Sequence, residues 1–184
     1  MHFTLSDFLL DLAQNSVEAG ASHILVSVVQ ADGAVGFAIE DNGKGMDEET
    51  LARVRDPFFT DGKKHAKRRV GLGIPFLVQA LEQVDGEFSL ESVPGEGTSL
   101  RFSFPLDHVD TPQLGDLPGF FLSALCFDGE YELVIQRRDV YRGLDYELTR
   151  SGLVEAVGDL HDAASLVLVR RFLESQEESP ENGA

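Results

Sequence analysis

The spacing of apolar positions changes several times along this 184-residue chain, and each change predicts an element. Leu5, Phe8, Leu9, Leu12, Ala13 and Val17 recur at helical spacing, with Thr4 and Asp7 placed as in a capping box. A first helix is predicted from about Thr4, ending at Gly20. Asp7, Asp11 and Asn15 step by four and make a separate polar stripe on that helix. His23 to Val29 and Val35 to Ile39 flank the turn Ala31-Asp32-Gly33, which predicts an antiparallel hairpin. The second strand runs into Glu40-Asp41-Asn42-Gly43-Lys44-Gly45-Met46, a carboxylate followed by two glycines one residue apart.

A short helix with an acidic first turn is predicted from about Asp47, and Asp56-Pro57-Phe58-Phe59-Thr60 breaks it at proline. Residues 60 to 70 are polar and basic without a period, which reads as a mobile loop. Val70-Gly71-Leu72-Gly73-Ile74-Pro75 opens a helix to about Val84, with Phe76, Leu77, Ala80, Leu81 and Val84 as its core face. A strand is predicted over Glu87 to Ser92 and another over Thr98 to Phe104. In the latter Leu100, Phe102 and Phe104 alternate with Ser99, Arg101 and Ser103. The predicted organisation is a first domain over 1–106, a linker over 107–119, a small α+β region over 120–173 and an acidic tail over 174–184. Within the small region, strands are expected near Phe120–Phe127, Tyr131–Arg137 and Tyr141–Arg150. Ser151 is expected to cap a short helix, and Asp162 to begin a last one through Phe172. The tail, with Glu174, Glu177, Glu178 and Glu181, is expected to be solvated or disordered.

Composition changes this picture in two places. Hydrophobic residues make up 42% of the chain, and no apolar run approaches the ~20 residues of a membrane span. No secretory leader is visible, and the single Cys126 fits a reducing compartment, so a cytoplasmic protein without a membrane partner is expected. The formal net charge of -17 argues against nucleic acid as a partner. Lys63, Lys64, Lys67, Arg68 and Arg69 nevertheless fall within one short segment, either a solvated loop or a place where a polyphosphate is held.

The chemistry of the glycine turns sharpens the second alternative. Glycine lets another molecule approach the backbone, and a carboxylate at Asp41 can accept a hydrogen bond from a ligand amino group. The plain alternative is a tight turn that merely needs glycine. Glycines before a helix start, as at Gly71 and Gly73, expose backbone N–H groups at the positive end of the helix dipole, which suits an anion.

Four stretches in order resemble the N, G1, G2 and G3 boxes of the GHKL ATPase superfamily. They are Asp11-Leu12-Ala13-Gln14-Asn15, Asp41-Asn42-Gly43-Lys44-Gly45, Gly71-Leu72-Gly73 and Gly95-Glu96-Gly97-Thr98. Asp56-Pro57-Phe58-Phe59-Thr60 resembles the F box of histidine kinases, and Asn15-Ser16-Val17-Glu18-Ala19-Gly20-Ala21 resembles the mismatch-repair form of the N box. The resemblance covers about residues 4 to 106 and implies a Bergerat fold, a two-layer α/β sandwich with a mixed sheet and helices on one face.

The resemblance also implies roles. Asp41 would accept the adenine amino group beside Thr98, with Gly43 and Gly45 shaping the turn. Asn15 would give an amide oxygen to Mg²⁺. Gly71, Leu72 and Gly73 would offer N–H groups to the phosphates, and Lys63, Arg68 and Arg69 would approach them from the lid. ATP and Mg²⁺ are thus the expected cofactors. One departure stands at Asp11, where the hydrolysing branches carry a glutamate as general base; the shorter arm puts hydrolysis in question. A second expectation is that no histidine-kinase dimerisation region stands ahead of the N box. His161-Asp162 has a phosphoacceptor-like His followed by an acid, but lacks the matching Pro and basic residue in Ala163-Ala164-Ser165. The expected function is a Mg-ATP-binding protein of histidine-kinase-like type, acting on or with a partner protein as a kinase or regulatory ATPase. The alternative is an ATP-gated switch with little hydrolysis or transfer. A homodimer is left open.

Overall fold

The computed structural model describes residues 4–55 and 73–178. Six strands form one mixed sheet in the order β3-β4-β2-β1-β5-β6. They are β1 (His23–Ala31), β2 (Ala34–Asp41), β3 (Glu87–Val93), β4 (Gly97–Pro105), β5 (Glu132–Asp139) and β6 (Leu144–Thr149). All neighbours run antiparallel except β1 and β5, which are parallel. Alternation explains the layering. Val26 and Val28, Phe37 and Ile39, Phe102 and Phe104, and Leu133 and Ile135 are buried on one face, while their neighbours in sequence are half-buried or exposed. Stacked Phe37 and Phe102 rings, 4.9 Å between centroids, tie β2 to β4 on the covered face.

Helices α1 (Leu5–Glu18), α3 (Gly73–Glu82), α4 (Leu117–Leu125), α5 (Arg150–Val157) and α6 (Ala163–Glu177) pack against the strands or one another, and α2 (Glu48–Arg55) packs against α3. The expected two-layer α/β architecture is therefore present. Helix α1 is set by its start. The Asp7 carboxylate accepts from both the Thr4 backbone N–H and the Thr4 hydroxyl, each at 2.8 Å. Two further orphan N–H groups, of Leu5 and Ser6, donate to the carbonyls of Gln113 and Leu114, so the 107–119 segment closes over the helix start. Helix α2 opens on Asp47, whose carboxyl lies below its ordinary pKa because Thr50 hydrogen-bonds to it.

Four expectations need correction. The run Phe120–Phe127 is not a strand. Asp116 caps a helix by accepting from Gly119 N–H at 2.9 Å, Pro118 sits in its first turn, and Leu117, Phe120, Phe121, Ala124 and Leu125 are buried at helical spacing. Helix α5 is capped by Thr149, not Ser151. Phe76, expected in the core face of α3, is 46% exposed, while Leu77 and Leu81 form that face and Val84 is buried in the turn just beyond the helix end. The acidic stretch from Glu174 is not loose through Glu177. Helix α6 continues to that residue, which accepts hydrogen bonds from the buried Arg137 and from Tyr146. The strands of the C-terminal region extend the same sheet, and its buried side chains join the same hydrophobic cluster as those of α1, β1 and β2. Among the described residues no helix is long and apolar enough to cross a membrane.

Candidate functional site

Strand β2 ends at Asp41, and the glycine turn beyond it is held by polar contacts to three other segments. Asn42 Oδ1 accepts from the backbone N–H groups of Ser22 and His23, each at 2.9 Å, which fastens the turn to the start of β1. The Asp41 carboxylate takes two donors: the Ser16 hydroxyl at 2.7 Å on Oδ2 and the Gly43 N–H at 2.8 Å on Oδ1. Lys44 N–H donates to the Ala19 carbonyl, and Gly95 N–H donates to the Lys44 carbonyl. Ser92 Oγ accepts from Met46 N–H and donates to the Gly97 carbonyl, which leaves it to accept from the Thr98 hydroxyl at 2.9 Å. Thr98 pairs directly with Asp41 across β4 and β2.

The glycines are required by this stacking. Gly45 has a φ of +62°, and a side chain there would overlap the Val93 carbonyl. Gly97 has a φ of +129°, and a side chain there would overlap the Asp41 carbonyl. Gly43 lies against Ala19, where an added Cβ would stand 2.9 Å from the alanine methyl. The close approach expected of another molecule is made at Gly43, Gly45 and Gly97 by other parts of the same chain, which is the plain alternative of a tight turn that needs glycine.

Asp11 and Asn15 lie one turn apart on the exposed side of α1, and neither side chain has a hydrogen-bond partner among the described residues. A side chain at Gly73, the first residue of α3, would overlap the Asp11 carboxylate, so Asp11 sits against the start of that helix. The structure therefore brings Asp11 against Gly73, with Asn15 one turn further along α1, and gathers Asp41, Gly43, Gly45 and Thr98 at the end of β2, with α1 linking the two through Ser16. Lys63, Arg68, Arg69, Gly71 and Leu72 lie outside the described residues, as do Phe58 and Phe59.

Sequence reasoning passed over Ser16, Asn42 and Ser92. The signal for Ser16 was present: it follows Leu12 by four, so it stands on the apolar face of α1, where a hydroxyl needs a partner. Ser92 carried the strand form of the same signal: it follows Phe88 and Leu90 at alternate positions, so its hydroxyl stands on their inward face.

Comparison with known proteins decides the family. The profile of the histidine kinase-, DNA gyrase B-, and HSP90-like ATPases matches residues 3–108, more than half of the chain. The chain belongs to this family. Among relatives of this ATPase-family chain, a putative sensor protein of Shewanella frigidimarina is 32% identical over 109 residues, covering 58% of this chain. The sensor histidine kinase RcsC of Escherichia coli is 26% identical over 153 residues, covering 82% of this chain. The aligned segments span 16% of the length of each of these relatives. Among solved structures, the catalytic domain of histidine kinase ThkA is 22% identical with a TM-score of 0.42, covering 54% of this chain and 64% of that one.

Proposed function

We propose that the protein binds ATP with Mg²⁺ and works on or with a partner protein in the manner of a histidine-kinase catalytic domain, in the cytoplasm. The observation that carries this reading is the Asp41 carboxylate. Its two internal donors occupy about two of its four lone-pair directions, so each oxygen retains acceptor capacity. An ionised carboxylate accepts and cannot donate, which suits the 6-amino group of adenine and not the 6-oxo group of guanine. Gly73 is the first residue of α3, and backbone N–H groups of Gly71, Leu72 and Gly73 would meet the phosphates, with Lys63, Arg68 and Arg69 as their positive charge.

The donor set also suits Mg²⁺. Asn15 offers an amide oxygen one turn from the Asp11 carboxylate, and magnesium takes hard oxygen ligands from one or two side chains together with substrate phosphates. Among the described residues no group of three or more acidic, His or Cys side chains could hold a metal without such help. When bound, Mg²⁺ would neutralise phosphate charge; Asn15 would hold it, and Asp11 would be the nearby carboxylate toward which a water loses a proton. The short Asp11 arm favours slow phosphate release by the isolated chain.

Competition against a fluorescent ATP analogue in the presence of Mg²⁺ tests the base assignment. ATP should displace the analogue better than GTP, and Asp41→Asn should weaken ATP by about 10–100-fold, the effect of losing a hydrogen bond to a charged group. Equal ATP affinity of the two proteins overturns the assignment. Incubation with γ-labelled ATP and candidate partners then separates phosphoryl transfer, which labels a protein, from hydrolysis, which labels free phosphate.

A further inference from the structure

We infer that Ser16 is a positioning residue for base recognition, its hydroxyl fixing the plane of the Asp41 carboxylate. The inference rests on Asp41 being the adenine acceptor. Ser16 is 4% exposed, on the side of α1 that faces the sheet, and its hydroxyl donates to Asp41 Oδ2 at 2.7 Å. The second anchor, Gly43 N–H, holds the other oxygen at 2.8 Å. The terminal torsion of an aspartate is broad, so one anchor leaves the carboxylate free to swing about it. Two anchors on opposite oxygens define the plane, and with it the directions in which the remaining lone pairs accept. The anchors also have different origins. Gly43 belongs to the turn that carries Asp41, whereas Ser16 belongs to α1, the helix that carries Asp11 and Asn15. The Ser16 contact therefore ties the orientation of the base acceptor to the helix that bears the metal and water side chains.

The test compares two nucleotides. Mg-ATP has the 6-amino group; Mg-purine riboside triphosphate is the same ligand without it. Both are titrated against a fluorescent ATP analogue on the full chain and on Ser16→Ala, Ser16→Thr and Asp41→Asn. Ser16→Ala should weaken ATP by about 5–20-fold, and purine riboside triphosphate by less than about twofold. Ser16→Thr, which keeps the hydroxyl, should recover most of the ATP affinity. Undiminished binding of the amino-less nucleotide also reports that each variant is folded. Equal loss of both nucleotides in Ser16→Ala, or no loss of ATP, overturns the inference. If Asp41→Asn weakens ATP while Ser16→Ala does not, only the role of Ser16 falls. If Asp41→Asn leaves ATP unchanged, the base assignment and the inference fall together.

Discussion

Polar groups gather at two places in this fold, around Asp41 and around Arg137, and the two are built on opposite terms. Arg137 is fully buried on β5. Its Nε donates to Glu177, its Nη1 to the Arg138 carbonyl, and its Nη2 to Gln30 and to Asp139. Asp139 in turn accepts from the backbone N–H groups of Tyr141 and Arg142, and the Tyr146 hydroxyl donates to Glu177 at 2.6 Å. Burial and this neighbouring carboxylate push the Tyr146 phenol well above its ordinary pKa, so it remains a donor. Around Asp41, by contrast, acceptor capacity is left over, and Asp11 and Asn15 have side chains without partners among the described residues. A saturated network locks the end of α6 to the sheet. An unsaturated one, held rigid by close-packed backbone, is what recognition of another molecule needs.

Three substitutions can break or sharpen this contrast. The largest effect is expected from Gly97→Ala, which forces a side chain into a φ of +129° and onto the Asp41 carbonyl. Stability measured by urea unfolding should fall by about 3 kcal/mol or more, and ATP binding should be lost with it. A stable variant that still binds ATP would show that the stacking of the turns is dispensable. Next comes Arg137→Met, which leaves Asp139 and Glu177 without their buried cation. Unfolding should be easier by about 3–5 kcal/mol, with ATP affinity of the folded fraction unchanged. If affinity fell in protein that remained folded, the two networks would be coupled rather than separate. The smallest effect belongs to Arg170→Ala. Its pairs with Asp116 and Glu174 are partly exposed, so the loss should be no more than about 1 kcal/mol and invisible in binding.

The same contrast explains what could be read from the sequence. The Asp41 end is written locally: a hairpin, a carboxylate, two glycines and a second glycine loop, each within a few residues. The hairpin β1–β2 and strands β3 and β4 accordingly match their expected spans closely. The Arg137 end is written in residues brought together from α6, β1, β5 and β6, and no spacing along the chain announces that Glu177 will meet Arg137. Its acidic neighbours made Glu177 look like part of a solvated tail. Helix α4 was obscured for another reason. It is apolar on most sides because α1 and α6 both cover it, so the continuous run Phe120–Phe127 hid a helical spacing that Asp116 and Pro118 already announced.

The parallel pairing of β1 with β5 has a consequence for how the chain is made. Residues 23–30 must find residues 132–139 before the middle of the sheet is complete, a long-range closure that slows folding. During synthesis the family-matched segment, residues 3–108, leaves the ribosome before that strand exists. Until it arrives, β1 presents a free edge with the sequence His-Ile-Leu-Val-Ser-Val-Val, a run with the composition of an aggregation-prone strand. A chain shortened to the ATPase segment alone would keep that edge for good.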